Sequence, residues 1–264
     1  MILLVSTCAV TAAAFLASRI APYAPKPLRQ ALHWIHAATF EFFAVILSLC
    51  LRFLNPLFSK STPQVAQGVP ILMIHGYLHN SSAWVFFRKF FSRLQASSGI
   101  GPLYTIDLPL FQSIPDDASL ILQRREEIFQ ETGRRELILI GHSMGGLVAL
   151  FHALHLAKEK TWVITLGSPL HGTHLARIAL GPNGKEMRRG SLFVKGLEKS
   201  LATSNLSCYH LGSETDQVVV PASSAFMGRF PDREFHLPNL GHMSLLFSRR
   251  VMRQVLYWIE TFSP

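Results

Sequence analysis

From residue 69 onward the chain alternates short, almost wholly apolar runs with longer stretches of helical period. Pro70–Ile74, Leu103–Asp107, Leu137–Gly141 and Thr161–Leu166 read as strands covered on both faces, because a strand with one wet face would alternate apolar and polar residues. Ser207–Leu211 and Glu234–Leu237 read as two shorter strands. Between and after them, Ser82–Ala96, Asp116–Thr132, Ser143–Ala157 and Ser244–Phe262 read as helices. Six strands alternating with helices over about 200 residues predict one α/β domain, with a mostly parallel six-stranded sheet between helices.

The first 58 residues break this pattern. Ile2–Ser18 holds no charged residue, and Pro22, Pro25 and Pro27 then interrupt any helix. A second apolar helix is predicted from Leu28 to Leu54, uncharged over Phe42–Leu51 but carrying His33, His36 and Glu41 in its first half. A bilayer span would hold Glu41 only at a cost. A helix at the membrane interface, bordered by Arg29, Trp34 and Arg52, or one lying on the domain's own flank, accommodates it. The expected organisation is a membrane-associating helical segment over 1–58, a polar linker over 59–68 and a catalytic domain over 69–264.

Composition sharpens this reading. The chain is 49% hydrophobic and 16% charged, against about 25% charged in a typical soluble domain, and the apolar excess sits in front. The net charge of +9 is spread along the chain, with no block of basic residues. Such a surface attracts anionic lipid, whereas nucleic acid would call for a basic stripe interleaved with aromatics. Cys8, Cys50 and Cys208 have no metal-ligand spacing and read as small buried hydrophobes. The twelve histidines form no H-E-x-x-H pair, so no metal site is expected.

The candidate chemistry centres on Ile140–Leu147, IGHSMGGL, between a predicted strand and a predicted helix. A strand, a sharp turn carrying Ser143 and a helix starting at once would present the hydroxyl as a nucleophile, and Gly141, Gly145 and Gly146 let strand and helix pass closely. A serine needs a base, and His242 lies in a loop before the closing helix. The base needs an orienting acid: Asp216 follows the strand ending at Leu211, with Asp232 and Glu214 as alternatives. An oxyanion site would take the N–H of Met144 and that of Tyr77, with Gly76 as alternative. His75, Gly76 and Leu78 in the first loop, and His171 and Leu175 in the forty-residue crossover after Leu166, are candidate substrate-facing residues. That crossover reads either as local packing or as an apolar flap.

Five features occur in order: His75-Gly76, the Gly141–Gly146 elbow, LGSPLHGT over Leu166–Thr173, the Asp216 loop and Gly241-His242. With them the chain resembles the α/β-hydrolase superfamily, and within it the bacterial triacylglycerol lipase and esterase group, over roughly residues 68–262. Its front departs from larger members, so a minimal α/β-hydrolase core preceded by apolar N-terminal helices is implied. The resemblance implies hydrolysis of lipid-like acyl esters through an acyl-serine, without a cofactor. A thioesterase, amidase or acyltransferase of the same fold, or an inactive binding member, are the alternatives. The expected setting is the bacterial inner membrane, as a monomer in contact with membrane lipid.

Overall fold

Every strand of the sheet runs parallel to its neighbours, in the order β2-β1-β3-β4-β5-β6. The strands are β1 Ile71–Ile74, β2 Leu103–Ile106, β3 Leu137–His142, β4 Thr161–Leu166, β5 Cys208–Ser213 and β6 Glu234–Leu237. The helices are α1 Lys26–Phe53, α2 Val85–Ser92, α3 Ile114–Thr132, α4 Met144–His155, α5 Gly181–Glu186, α6 Leu192–Thr203 and α7 Arg249–Phe262. The computed structural model describes residues 25–53, 68–95 and 100–262. The predicted helix at Ile2–Ser18 and nearly all of the linker lie outside the described residues.

β1, β3 and β4 are buried along their whole length, as their unbroken apolar sequences require. Alternate side chains feed two cores. Ile71, Met73, Ile138 and Ile140 pack with Trp84, Phe87, Phe91 and Trp258 on the side of α2 and α7. Leu72, Ile74, Leu137 and Leu139 pack with Ile121, Leu147 and Val148 on the side of α3 and α4. Each large side chain removed from water contributes about 1.5–3 kcal/mol, and the two layers together hold the sheet between its helices.

Helix ends follow local chemistry. Ser113 caps α3 by accepting from Asp116 N, Pro115 sits in its first turn, and Gly133 closes it in the left-handed region at φ 68°. Two predicted helices divide. Ser81–Trp84 is a 3-10 turn capped by Asn80 before α2, and Met243–Phe247 is a 3-10 turn before α7. The second break falls at Ser248, whose backbone is extended and whose carbonyl and hydroxyl accept from Met252 N and Val251 N.

α1 lies on the flank of the domain, against the turn that follows His242 and the turn after β1. Among the described residues it is the one helix long and apolar enough to cross a membrane. Its buried positions are Ala37, Ala44, Ser48 and Leu51, while Ile35, Phe42, Leu49 and Phe53 are exposed. Cys50 is exposed on this helix, contrary to the expectation of a buried thiol, because it falls outside the narrow inward stripe. Cys208 is largely buried, and desolvation pushes its thiol up to about 11.

Candidate active site

The strand order reverses around β1, which has β2 on one side and β3 on the other, so a crevice opens beyond the C-terminal ends of β1 and β3. Ser143 stands there, one residue past β3, at φ 56° and ψ −125°. A non-glycine residue in that region is strained and persists only where its surroundings fix it. Here Ser143 N donates to Leu166 O at 2.9 Å, and α4 begins at the next residue. The adjacent glycines are sterically required. A Cβ on Gly141 would sit 2.3 Å from Gly146 N, and one on Gly145 would sit 2.3 Å from Ile74 O.

His242 and Asp216 come together beside this turn, both buried. His242 Nδ1 lies 2.8 Å from Asp216 Oδ2, while Asp216 Oδ1 accepts from Val218 N and Val219 N at 2.8 Å each. The carboxylate is therefore fixed from both sides, and the proton on Nδ1 faces it. Burial pushes the His242 imidazole down, but the Asp216 charge and hydrogen bond, with Glu41 behind them, outweigh it and leave the pKa raised. The alternative acids are both exposed: Glu214 beside the end of β5, and Asp232 in a 3-10 turn.

His75 is placed differently. Leu108 N donates to its Nε2 at 2.8 Å, so its proton resides on Nδ1, which donates to Gly76 O at 2.8 Å. Burial drives its pKa down to about 4, so this ring is a neutral brace of the loop after β1. His142, which sequence reasoning did not single out, packs against His242 with ring centroids 4.6 Å apart and the ring planes tilted by 46°. Its Nε2 meets His242 O at 3.1 Å, and burial holds its pKa well below the usual value. The only sequence signal for it was its place next to Ser143.

Above Ser143 lies a cavity of about 360 Å³, walled by Tyr77, Leu78, Phe111, Leu175, Ile178 and Met187, among others. Its lining is almost entirely apolar. Leu78 and Leu175 thus face it, whereas His171 does not: its Nδ1 meets Glu198 Oε1 at 2.5 Å and its Nε2 meets Phe226 O at 2.9 Å. The polar fastening of the crossover claims that ring. Gly76 abuts Ser143, since a Cβ there would sit 2.9 Å from Ser143 Cβ. Tyr77 spans the cavity: its hydroxyl donates to Leu180 O and accepts from Leu180 N, both at 2.9 Å. Thr173 anchors the other edge, donating to Val218 O at 2.6 Å and accepting from Val220 N at 2.9 Å.

Met144 is the first residue of α4, so its N–H has no acceptor within the helix. Tyr77 follows β1 across the same crevice. Among the described residues no group of histidines, cysteines and carboxylates is arranged to hold a metal ion.

Residues 71–207 match the alpha/beta hydrolase family. Among curated proteins, the chain is 28% identical over 102 residues to the pimeloyl-[acyl-carrier protein] methyl ester esterase of Vibrio cholerae, covering 39% of this chain and 38% of that one. It is 26% identical over 160 residues to the human (lyso)-N-acylphosphatidylethanolamine lipase, covering 54% of this chain and 41% of that one. The matches thus span about two-fifths of each curated relative. In fold, the chain is similar to Bacillus licheniformis lipase BlEst2 in its mature form, with a TM-score of 0.61, 20% identity and coverage of 74% of this chain and 94% of that one. The Paleococcus ferrophilus monoacylglycerol lipase follows at a TM-score of 0.56 and 14% identity, covering 74% and 97%.

Proposed function

Since the chain belongs to the alpha/beta hydrolase family, we propose that it is a serine carboxylic-ester hydrolase acting on lipid-like acyl esters, with Ser143, Asp216 and His242 as its triad. The observation that carries this reading is the buried His242–Asp216 bond of 2.8 Å beside a serine held at positive φ under an apolar cavity. With the Nδ1 proton committed to Asp216, His242 Nε2 takes the proton from Ser143 Oγ as the hydroxyl attacks an ester carbonyl. The N–H groups of Met144 and Tyr77 receive the oxyanion, each worth about 2.7–4 kcal/mol in the transition state. The same imidazole then protonates the leaving alcohol, and water releases the acyl group from Ser143 by the reverse path.

The acyl chain belongs in the cavity of about 360 Å³, where Leu175 and Met187 offer no polar partner to water. The names of the two curated relatives support the same class: one is a methyl ester esterase and the other a (lyso)-N-acylphosphatidylethanolamine lipase. The division into a membrane-associating segment over 1–58, a linker and a catalytic domain over 69–264, acting as a monomer at a bacterial inner membrane, belongs to the same proposal. A groove of about 470 Å³ between α2 and α7 supports contact with anionic lipid. Lys89, Arg93, Arg249 and Arg253 line it together with Phe86 and Phe247, and Phe247 also borders α1.

Aryl esters of graded acyl length test the reading. Ser143→Ala should abolish their turnover and leave the fold intact, and the parent enzyme should favour the longer chains. Turnover surviving in Ser143→Ala, or confined to thioesters or amides, would reject it. Charge reversal at Arg249 and Arg253 should weaken sedimentation with phosphatidylglycerol-containing vesicles while leaving short-ester turnover unchanged.

A further inference from the structure

The apolar helix in front of the domain carries one acidic residue, and the structure puts it to specific use. Glu41 reaches from α1 into the loop that carries His242. Its Oε1 accepts from Met243 N at 2.7 Å, and its Oε2 accepts from Ser244 N and from Ser244 Oγ, both at 2.9 Å. One side chain thus satisfies three donors in the two residues that follow His242. The fit extends to the residue before it. A Cβ on Gly241 would sit 2.4 Å from Glu41 Oε2 and 2.6 Å from Glu41 Cβ, so only glycine lets the loop come this close to α1. Five residues earlier on the helix, His36 Nδ1 meets Asn239 O at 3.0 Å, which fixes the start of the same loop.

The far end of α1 holds the loop on the opposite side of the crevice. Arg52 donates to Leu78 O, and Asn80 Nδ2 donates to Arg52 O at 3.2 Å. One rigid helix therefore ties down both the His242 loop and the loop after β1.

We propose that Glu41 is a positioning residue for His242, and that α1 is thereby a working part of the active-site frame as well as an apolar surface. The proposal rests on the reading of His242 as the general base. A carboxylate bound to three donors restrains the loop backbone next to His242, and misplacement of a catalytic group by about 1 Å costs roughly a hundredfold in rate. Its charge acts as well. The groups that face His242 are Asp216 from the loop after β5, His142 from the end of β3 and Glu41 from α1. His142 remains neutral, so the two carboxylates are what support the imidazolium. Without Glu41 the imidazolium loses part of that support, and the His242 pKa falls.

The test compares full-length Glu41→Ala, Glu41→Gln and Glu41→Asp with the parent on a soluble short-chain aryl ester, recording kcat and KM separately across pH. Glu41→Ala should lose about ten- to a hundredfold in kcat with KM little changed. Glu41→Gln, which keeps the size and loses the charge, should move the acidic limb of kcat/KM to lower pH. Glu41→Asp should keep that limb in place while losing part of kcat. A helix that served only to support the fold would lower the yield of folded enzyme and leave the limb fixed, so titration of reactive serine with a phosphonate normalises each rate. A kcat within twofold of the parent for Glu41→Ala, or an unmoved limb for Glu41→Gln, overturns the proposal. Ser143→Ala and His242→Ala run alongside. If either retains turnover, the ester-hydrolase reading fails and the proposal with it; if both are dead while the Glu41 variants match the parent, only the proposal fails.

Discussion

α1 and α7 flank the same part of the molecule and follow opposite rules. α7 buries its large side chains, with Val251, Met252, Val255, Trp258, Ile259 and Phe262 all turned to the sheet and arginines facing water. α1 buries mainly small ones, Leu51 being the large side chain among its buried positions. Ala37, Ala44 and Leu51 recur every seven residues on its inner face, with Ser48 and Glu41 between them. Ile35, Phe42 and Leu49 recur at the same spacing, two residues earlier, and are exposed by 50%, 61% and 53%. At 3.6 residues per turn, two residues correspond to about 200°, so the large apolar stripe lies opposite the domain. α7 is held by the hydrophobic effect. α1 touches the domain closely through small side chains and polar bonds, and its hydrophobic face is left for something else. The two helices show that an apolar sequence does not by itself say which face is inside.

The strongest way to sharpen this contrast is to remove a core anchor from α7. Trp258 is 2% exposed and packs on Tyr209 with ring centroids 5.2 Å apart. Trp258→Ala should lower unfolding stability by about 3–5 kcal/mol, the usual cost of emptying a large aromatic site. Denaturant titration reads it directly. A loss below about 1 kcal/mol would show that α7 is no more firmly anchored than a surface helix.

The same contrast explains what was legible in the sequence. The strands stood out because a parallel sheet buried on both faces leaves apolar runs that admit few other readings. The elbow stood out because closely spaced glycines around Ser143 answer to a local steric need, Gly145 against Ile74 O being the clearest. Asp216 was separable from Asp232 and Glu214 only by its place after β5, and the structure puts it on His242 while the other two face solvent. The role of Glu41 was not legible. It lies 201 residues from His242 in the chain, and its partners are chiefly backbone N–H groups, which leave no mark on sequence. In the sequence Glu41 looked like a flaw in a membrane span. His171 was a candidate substrate-facing residue only by its place in the crossover after Leu166, and the packed crossover instead has Glu198 and Phe226 O holding both ring nitrogens.

A smaller effect is expected on the inner face of α1. Ala37 is fully buried, and a longer side chain there must displace either the helix or the domain. Ala37→Leu should cost about 1–3 kcal/mol through overpacking. Because α1 also holds the His242 loop through Glu41 and His36, short-ester kcat should fall in the same variant. A fall in stability with kcat unchanged would separate the packing of α1 from its hold on that loop. The loop after β1, fastened through Arg52, offers a control on the same helix.

The smallest effect on stability, and the sharpest on location, belongs to the outward stripe. Ile35→Ser, Phe42→Ser and Leu49→Ser combined remove three exposed apolar side chains and touch none of the bonds that α1 makes to the domain. Surface changes of this kind normally stay within about 0.5 kcal/mol of the parent, so the unfolding midpoint should barely move. Transfer of such a side chain from water into lipid is worth about 1.5–3 kcal/mol, so even partial insertion of all three corresponds to more than tenfold in membrane partition. Co-sedimentation with phosphatidylethanolamine–phosphatidylglycerol vesicles at high salt isolates this term, because salt screens the basic groove between α2 and α7. The parent should remain with the vesicles and the triple variant should not. Equal retention of both would place the membrane contact elsewhere in residues 1–58 and leave the outward face of α1 as a surface with a different partner. Loss of retention together with intact short-ester turnover would complete the contrast with α7: one helix folded by what it hides, the other placed by what it shows.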